Sequence, residues 1–216
     1  MNSEKEFNRQ VNNLLQKGYP DAISISKEEF LKHIDPLRNR LSELSVFDID
    51  LDKGYLPFVI VIKSALLSTD LAMSQVEKDG NSGITKLFPH KPTDFETIES
   101  ETIPNAPVYL LVDIDRGKEY INLPPNAALT LIHSKDRFPL TIDEGVAIIT
   151  QFPEFLQKNN CFSLLASRHK GDKRVPAIWI NGNKQPNLGW CWDGNPHTWL
   201  GSASCKKRIG EKYTLS

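Results

Sequence analysis

Cysteine is scarce in this chain: three in 216 residues, at Cys161, Cys191 and Cys205. An odd number this small supplies no disulfide framework. No CxxC pair occurs, so the usual knuckle of a structural zinc site is missing. Long apolar runs are also lacking. None approaches the length of about 18 residues that suggests a membrane-spanning helix. The N-terminus, MNSEKEFNRQ, has neither the basic start nor the apolar stretch of a secretory signal. A protein made and kept in the cytoplasm, with no membrane partner, is therefore expected. No internal repeat and no low-complexity tract is present. What remains is ordinary globular composition, 39% hydrophobic and 25% charged, in a chain long enough to bury a sizeable core as one domain over 1–216.

Net charge is −1, but it is unevenly spread. From Cys161 onward, nine Lys and Arg face only three acids (Asp172, Asp193 and Glu211), while the rest of the chain carries 17 bases and 24 acids. Such asymmetry marks either an anionic ligand or two halves that pack together and compensate. The second reading is the plainer one.

Along the chain, Phe7, Val11, Leu14 and Leu15 show helical spacing within Glu4 to Lys17, ended by Gly18-Tyr19-Pro20. Ser26-x-x-Glu29 is a capping box that opens a second helix. Pro36 should break or restart it, with a third helix from about Leu37 to Leu44. Residues 1–45 thus read as a helical layer. Leu56 to Lys63 and Val108 to Ile114 are apolar strand candidates, and Ser68 to Lys78 is a helix candidate. Asp79 to Pro104 reads as a long connection with short strands or turns, unusual enough to hide a further element. Asp113 and Asp115 flank Ile114, so strand alternation would put both carboxylates on one face, although an Asp at a strand end more often caps the next turn.

Pro125 to His133 is a short helix candidate. Thr141-x-x-Glu144 is another capping box, and it opens the clearest helix in the chain. Beyond Cys161, candidate strands at Phe162 to Ala166, Val175 to Ile180, Leu188 to Trp192 and His197 to Ser204 suggest an antiparallel meander. The tail from Lys206 reads as loosely held. The fold class expected is α+β: N-terminal helices packed on a mostly antiparallel sheet formed largely by the C-terminal half.

The stretch richest in reactive and ligand-anchoring side chains is Leu188 to Cys205, LGWCWDGNPHTWLGSASC. It supports three functional readings beside plain packing. As a binding module, Trp190 and Trp192 share one strand face, an Asp193-to-Pro196 turn follows, and His197 and Trp199 return. That wall, with Asp193, Asn195 and His197 at its edge, suits a small polar ligand. Arg168 and Arg174 would admit an anionic one, including single-stranded nucleic acid stacked on the aromatics. As a thiol enzyme, Cys191 would be the nucleophile, His197 the base, and Asp193 or Asn195 the orienting group. Cys191-Trp192 is similar to the Cys-Trp step of papain-like proteases, but there the histidine lies far downstream. As a structural metal site, Cys191, His197 and Cys205 would be ligands, with Cys161 or His169 as the fourth, though the spacings are poor. The plain alternative is that the tryptophans cover the core of a half-exposed sheet. No cofactor is expected. The leading functional expectation is non-covalent binding of a small polar or anionic ligand or partner, and the runner-up is a thiol- or metal-dependent hydrolase using Cys191 and His197.

The blocks YLLVDIDRG (109–117), FPLTIDEG (138–145), CFSLLAS (161–167), RVPAIWI (174–180) and above all GWCWDGNPHTWLGSASC (189–205) resemble an uncharacterised bacterial protein family that has no assigned activity. The resemblance covers residues 105–208 well and the N-terminal helices weakly. It implies a shared fold and transfers no catalytic role.

Overall fold

The computed structural model describes residues 2–44 and 48–210. The chain begins with α1 (Ser3–Gln16), whose cap is the Asn2 side chain accepting the Lys5 N–H at 2.9 Å. α2 (Tyr19–Ala22) follows, then α3 (Lys27–Ile34), which Ser26 caps as its sequence predicts. Pro36 does restart the chain, but into a 3₁₀ helix over Asp35–Glu43 rather than an α-helix.

β1 (Tyr55–Ile62) is followed by α4 (Thr69–Ser74), shorter than its sequence suggested. The supposed long connection holds β3 (Asn81–Ser82), paired with β2 (Glu77–Lys78), then β4 (Ile84–Thr85) and β5 (Phe95–Thr97). Next come β6 (Val108–Asp115), α5 (Pro125–Ser134), β7 (Phe138–Pro139) and α6 (Ile142–Gln151). The capping box of α6 forms fully: Thr141 Oγ1 accepts the Glu144 N–H, and Glu144 returns a carboxylate oxygen to the Thr141 N–H. The last six strands are β8 (Cys161–Ser163), β9 (Ser167–His169), β10 (Arg174–Ile180), β11 (Pro186–Trp192), β12 (Leu200–Ser202) and β13 (Ser204–Gly210).

Two sheets organise the molecule. The first has the order β1-β6-β13-β7, with every pairing antiparallel. The second has the order β12-β8-β10-β11-β4. Of the expected meander the antiparallel β8–β10 and β10–β11 pairings form. β12 runs parallel to β8, β4 runs parallel to β11, and β13 crosses to the first sheet. The tail from Lys206 is correspondingly not loose as far as Gly210: β13 sits between β6 and β7 and buries Cys205 and Ile209. One continuous apolar core joins α1, α3, α6 and the inner faces of both sheets. The fold is α+β, and no helix among the described residues is long and apolar enough to cross a membrane.

Polar side chains finish the edges. β1 lies at the rim of the first sheet, and the buried Gln10 amide of α1 serves it as a partner strand would. It donates to the Phe58 carbonyl at 3.0 Å and accepts the Ile60 N–H at 2.8 Å. Arg208 of β13 reaches inward to two buried carboxylates, Glu101 and Glu144. Asp113 takes a left-handed backbone (φ 56°) inside β6, and Asp115 is near enough to feel its charge. Asp115 accepts the Gly117 N–H, the turn-capping role, and Asp113 pairs with Arg137.

Candidate functional site

The β10–β11 register decides where the tryptophans go. Trp192 lies opposite Arg174 and Trp190 opposite Pro176, so these side chains share one face of the sheet. Cys191, Gly189 and Asn187 lie opposite Val175, Ala177 and Trp179 on the other face. The single aromatic wall expected from the sequence is therefore two pairs. Trp190 and Trp192 meet edge to face with ring centroids 5.3 Å apart. Trp179 and Trp199 do the same at 6.2 Å, and the His197 ring lies 5.2 Å from Trp199.

Both pairs nevertheless reach one open cleft of about 320 Å³, which wraps the edge of β11 and is also lined by Cys191, Asn195, His197 and Leu200. The edge is open because β4 pairs only with Asn187 and Leu188, and among the described residues no strand covers 189–192 on that side. The loop that closes the cleft is pinned by its backbone. The Asp193 N–H donates to the Lys173 carbonyl, the Asn126 N–H to the Asp193 carbonyl, the Asn122 N–H to the His197 carbonyl, and the Cys161 N–H to the Trp199 carbonyl.

The two arginines expected to receive an anion already have carboxylates. Arg168 pairs with Asp193 at 2.8 Å. Burial pulls the Arg168 guanidinium below its ordinary pKa, and Asp193 partly offsets this. Arg174 pairs with Asp172 and also stacks on both indoles of its face, with its guanidinium carbon 4.4 Å from the Trp190 centroid and 4.8 Å from Trp192. Trp190 is further fixed by its Nε1–H, which donates to the Phe88 carbonyl at 3.0 Å. The His197 Nε2, like the Arg168 Nη1 and the Arg174 Nε, is buried and makes no hydrogen bond among the described residues.

The thiol arrangement does not assemble. The polar neighbour of Cys191 Sγ is Ser163 Oγ at 4.0 Å, and among the described residues Cys191 makes no hydrogen bond to His197. Burial pushes the Cys191 thiol up to about 11, the reverse of what a nucleophilic cysteine needs. The cysteine metal site does not assemble either. Cys205 is fully buried in the first sheet, against Phe138 and Ile114, and its thiol is raised far out of the physiological range, chiefly by burial. Cys161 is buried on β8.

A different cluster does form. His90, His169 and Asp172 offer ligand atoms that all lie within 4.8 Å of one another. Sequence reasoning missed it because His90 sits in a connection without periodicity, far from His169. The antiparallel β5–β9 pairing, two strands of three residues each, places His169 opposite Phe95, five residues after His90. A second cleft, of about 570 Å³, opens beside the start of α6. Its polar groups are partly engaged: Asp143 accepts from the Ser64 N–H and hydroxyl, and Lys63 donates to the Pro104 carbonyl.

The model of a family of unknown function (DUF5701) matches residues 13–211. The match takes in most of the N-terminal helical layer. No curated protein and no solved structure matches the chain.

Proposed function

The chain belongs to the family of unknown function DUF5701, and we infer its role from the site itself: non-covalent binding of a small, uncharged, polar ligand with a flat face, such as a sugar ring or a heterocyclic base, in the tryptophan-lined cleft. The observation that carries this reading is the convergence of four indoles with Asn195 and His197 on one cleft. Indole faces supply large contact area at low entropic cost, and a few polar groups at the rim set orientation. Trp192, 42% exposed, offers the most accessible face. The pairing of Arg168 with Asp193 and of Arg174 with Asp172 favours an uncharged ligand over an anionic one, nucleic acid included. The raised Cys191 thiol weighs against the hydrolase alternative. Three unpaired cysteines suit a reducing, cytoplasmic setting.

The test is a tryptophan-fluorescence and NMR titration of the full chain against mono- and oligosaccharides, nucleosides and the corresponding nucleotides. The expected result is saturable binding of an uncharged member, with no gain on adding phosphate. Stacking is worth about 1–3 kcal/mol per ring, so Trp192→Ala should weaken binding roughly tenfold, and Asn195→Ala should weaken it as well. Binding that survives both substitutions, or a panel without a saturable ligand, would overturn the reading.

A further inference from the structure

We propose that His90, His169 and Asp172 form a site for one divalent transition-metal ion of the zinc class. This goes beyond the ligand cleft and does not depend on it. Asp172 Oδ2 lies 3.3 Å from His90 Nε2 and 3.5 Å from His169 Nδ1. A tetrahedral ion with bonds of ~2.1 Å requires ligand atoms separated by ~3.4 Å. Two of the three edges thus already have the required length, and the third does not exceed 4.8 Å. Two imidazoles and one carboxylate suit Zn²⁺ with a fourth position open to solvent. The three side chains are 17%, 19% and 22% exposed, so the site is walled yet reachable.

Second contacts position the three side chains. Asp172 Oδ1 accepts the Arg174 N–H at 2.8 Å, which turns Oδ2 toward the histidines. His90 Nδ1 lies 3.9 Å from Asp94 Oδ2, too far for a hydrogen bond but near enough for the carboxylate to orient the ring, and Nε2 faces Asp172. The Phe95 ring meets both imidazoles edge to face at 6.1 and 5.8 Å and fixes their planes. His169 Nδ1 is buried and makes no hydrogen bond among the described residues, and it faces Asp172 Oδ2 at 3.5 Å.

Arg174 marks the same position as cationic. Its Nη1 lies 3.0 Å from His90 Nε2 and also contacts Asp172 Oδ2, so a guanidinium nitrogen bridges two of the three ligand atoms. An arriving ion would compete with that nitrogen. Arg174 stacks on Trp190 and Trp192 in this same pose, so displacing its Nη1 would also disturb that stacking. Occupancy should therefore change tryptophan emission, a signal that needs no ligand in the cleft.

The experiment uses the full chain, stripped with chelator and titrated with ZnCl₂ and CoCl₂ by calorimetry, by emission, and by ¹⁵N NMR of the five histidine rings. One equivalent is expected to bind, to shift the ring nitrogens of His90 and His169 but not those of His33, His133 or His197, and to perturb tryptophan emission. His169→Gln and Asp172→Asn should each weaken binding beyond the 10–100-fold typical of losing an outer partner, and Asp94→Asn should weaken it about tenfold. The ring-nitrogen readout is taken on the unsubstituted protein, so the proposal remains testable if a variant fails to fold. The absence of stoichiometric binding, or shifts confined to other histidines, would overturn it. So would affinity left intact in a folded His169→Gln variant, or lost instead in Cys205→Ser.

Discussion

The indole of Trp179 lies against the backbone of Gly189 on the neighbouring strand, so closely that a β-carbon there would sit 2.1 Å from Cη2 and 2.8 Å from Cζ3. The glycine is thus required by proximity. A methyl group would push Trp179 away from Trp199 and reshape one wall of the cleft. Gly189→Ala should cost about 1–3 kcal/mol, the usual penalty of overpacking. Chemical denaturation is the measurement. An unchanged midpoint, with unchanged tryptophan emission, would show that Trp179 is free to move aside.

Cys191 should be a sluggish thiol. Raising its pKa to about 11 lowers the thiolate fraction at neutral pH by ~100-fold against an ordinary cysteine. The greater nucleophilicity of a more basic thiolate recovers only part of this, leaving alkylation at least about tenfold slow. Iodoacetamide labelling followed by mass spectrometry gives the rate. It should still be rising about tenfold per pH unit at about pH 9 to 10, where an ordinary cysteine has levelled off, and fast labelling at pH 7 would restore the thiol-enzyme reading.

Arg208 holds two buried acids at once. Burial is the largest single influence and would lower its pKa, but Glu144, with smaller help from Cys205 and Tyr109, raises it on balance. The Tyr109 hydroxyl also donates to Glu144, at 2.8 Å. Arg208→Met leaves both carboxylates without their cation in the interior and should cost about 3–5 kcal/mol. Adding Glu144→Gln should recover a substantial part of that loss. Thermal melts of the single and double variants decide, and strict additivity would mean the three groups do not act as a unit.

Asp143 should show the opposite sign of charge effect. Burial raises its pKa, and the two hydrogen bonds from Ser64 oppose this without cancelling it. A carboxyl whose pKa is raised on folding favours the fold while protonated and loses that contribution as pH rises through the folded value. Asparagine keeps an acceptor for the Ser64 N–H. The stability of Asp143→Asn relative to the natural protein should therefore increase as pH rises above the ordinary aspartate value of about 4. A difference independent of pH would mean the carboxylate is well solvated.

The sequence made the regular elements legible where apolar periodicity was strong. Phe7, Val11 and Leu14 placed α1, the Thr141 capping box placed the start of α6, and the β-branched runs placed β1 and β6. Strands of two or three residues, such as β4, β5 and β7, are too short to carry a period. They are recognisable only by the partners they meet. β13 was hidden differently. Lys206, Lys207 and Arg208 look like a solvated tail because the acids that receive Arg208 lie far away in sequence. Among site residues, the crowding of Trp190, Trp192, His197 and Trp199 was legible, but its division across two faces required the register with β10. Trp179 joined the cleft only through that register. The His90–His169–Asp172 cluster depends on a β5–β9 pairing that no local spacing announces.

The placement of β13 has a further consequence for how the chain comes into being. Residues 204–210 fill the slot between β6 and β7, strands made well before them. While the chain is being synthesised, β6 therefore waits with one hydrogen-bonding edge open and Leu110, Leu111 and Ile114 incompletely covered. Such an edge templates pairing with other chains. The sheet closes only after nearly all of the polypeptide between has emerged and been brought back across, a long-range contact that is slow to form. Nascent chains halted before residue 204 should consequently be the species most dependent on chaperones and most prone to aggregate.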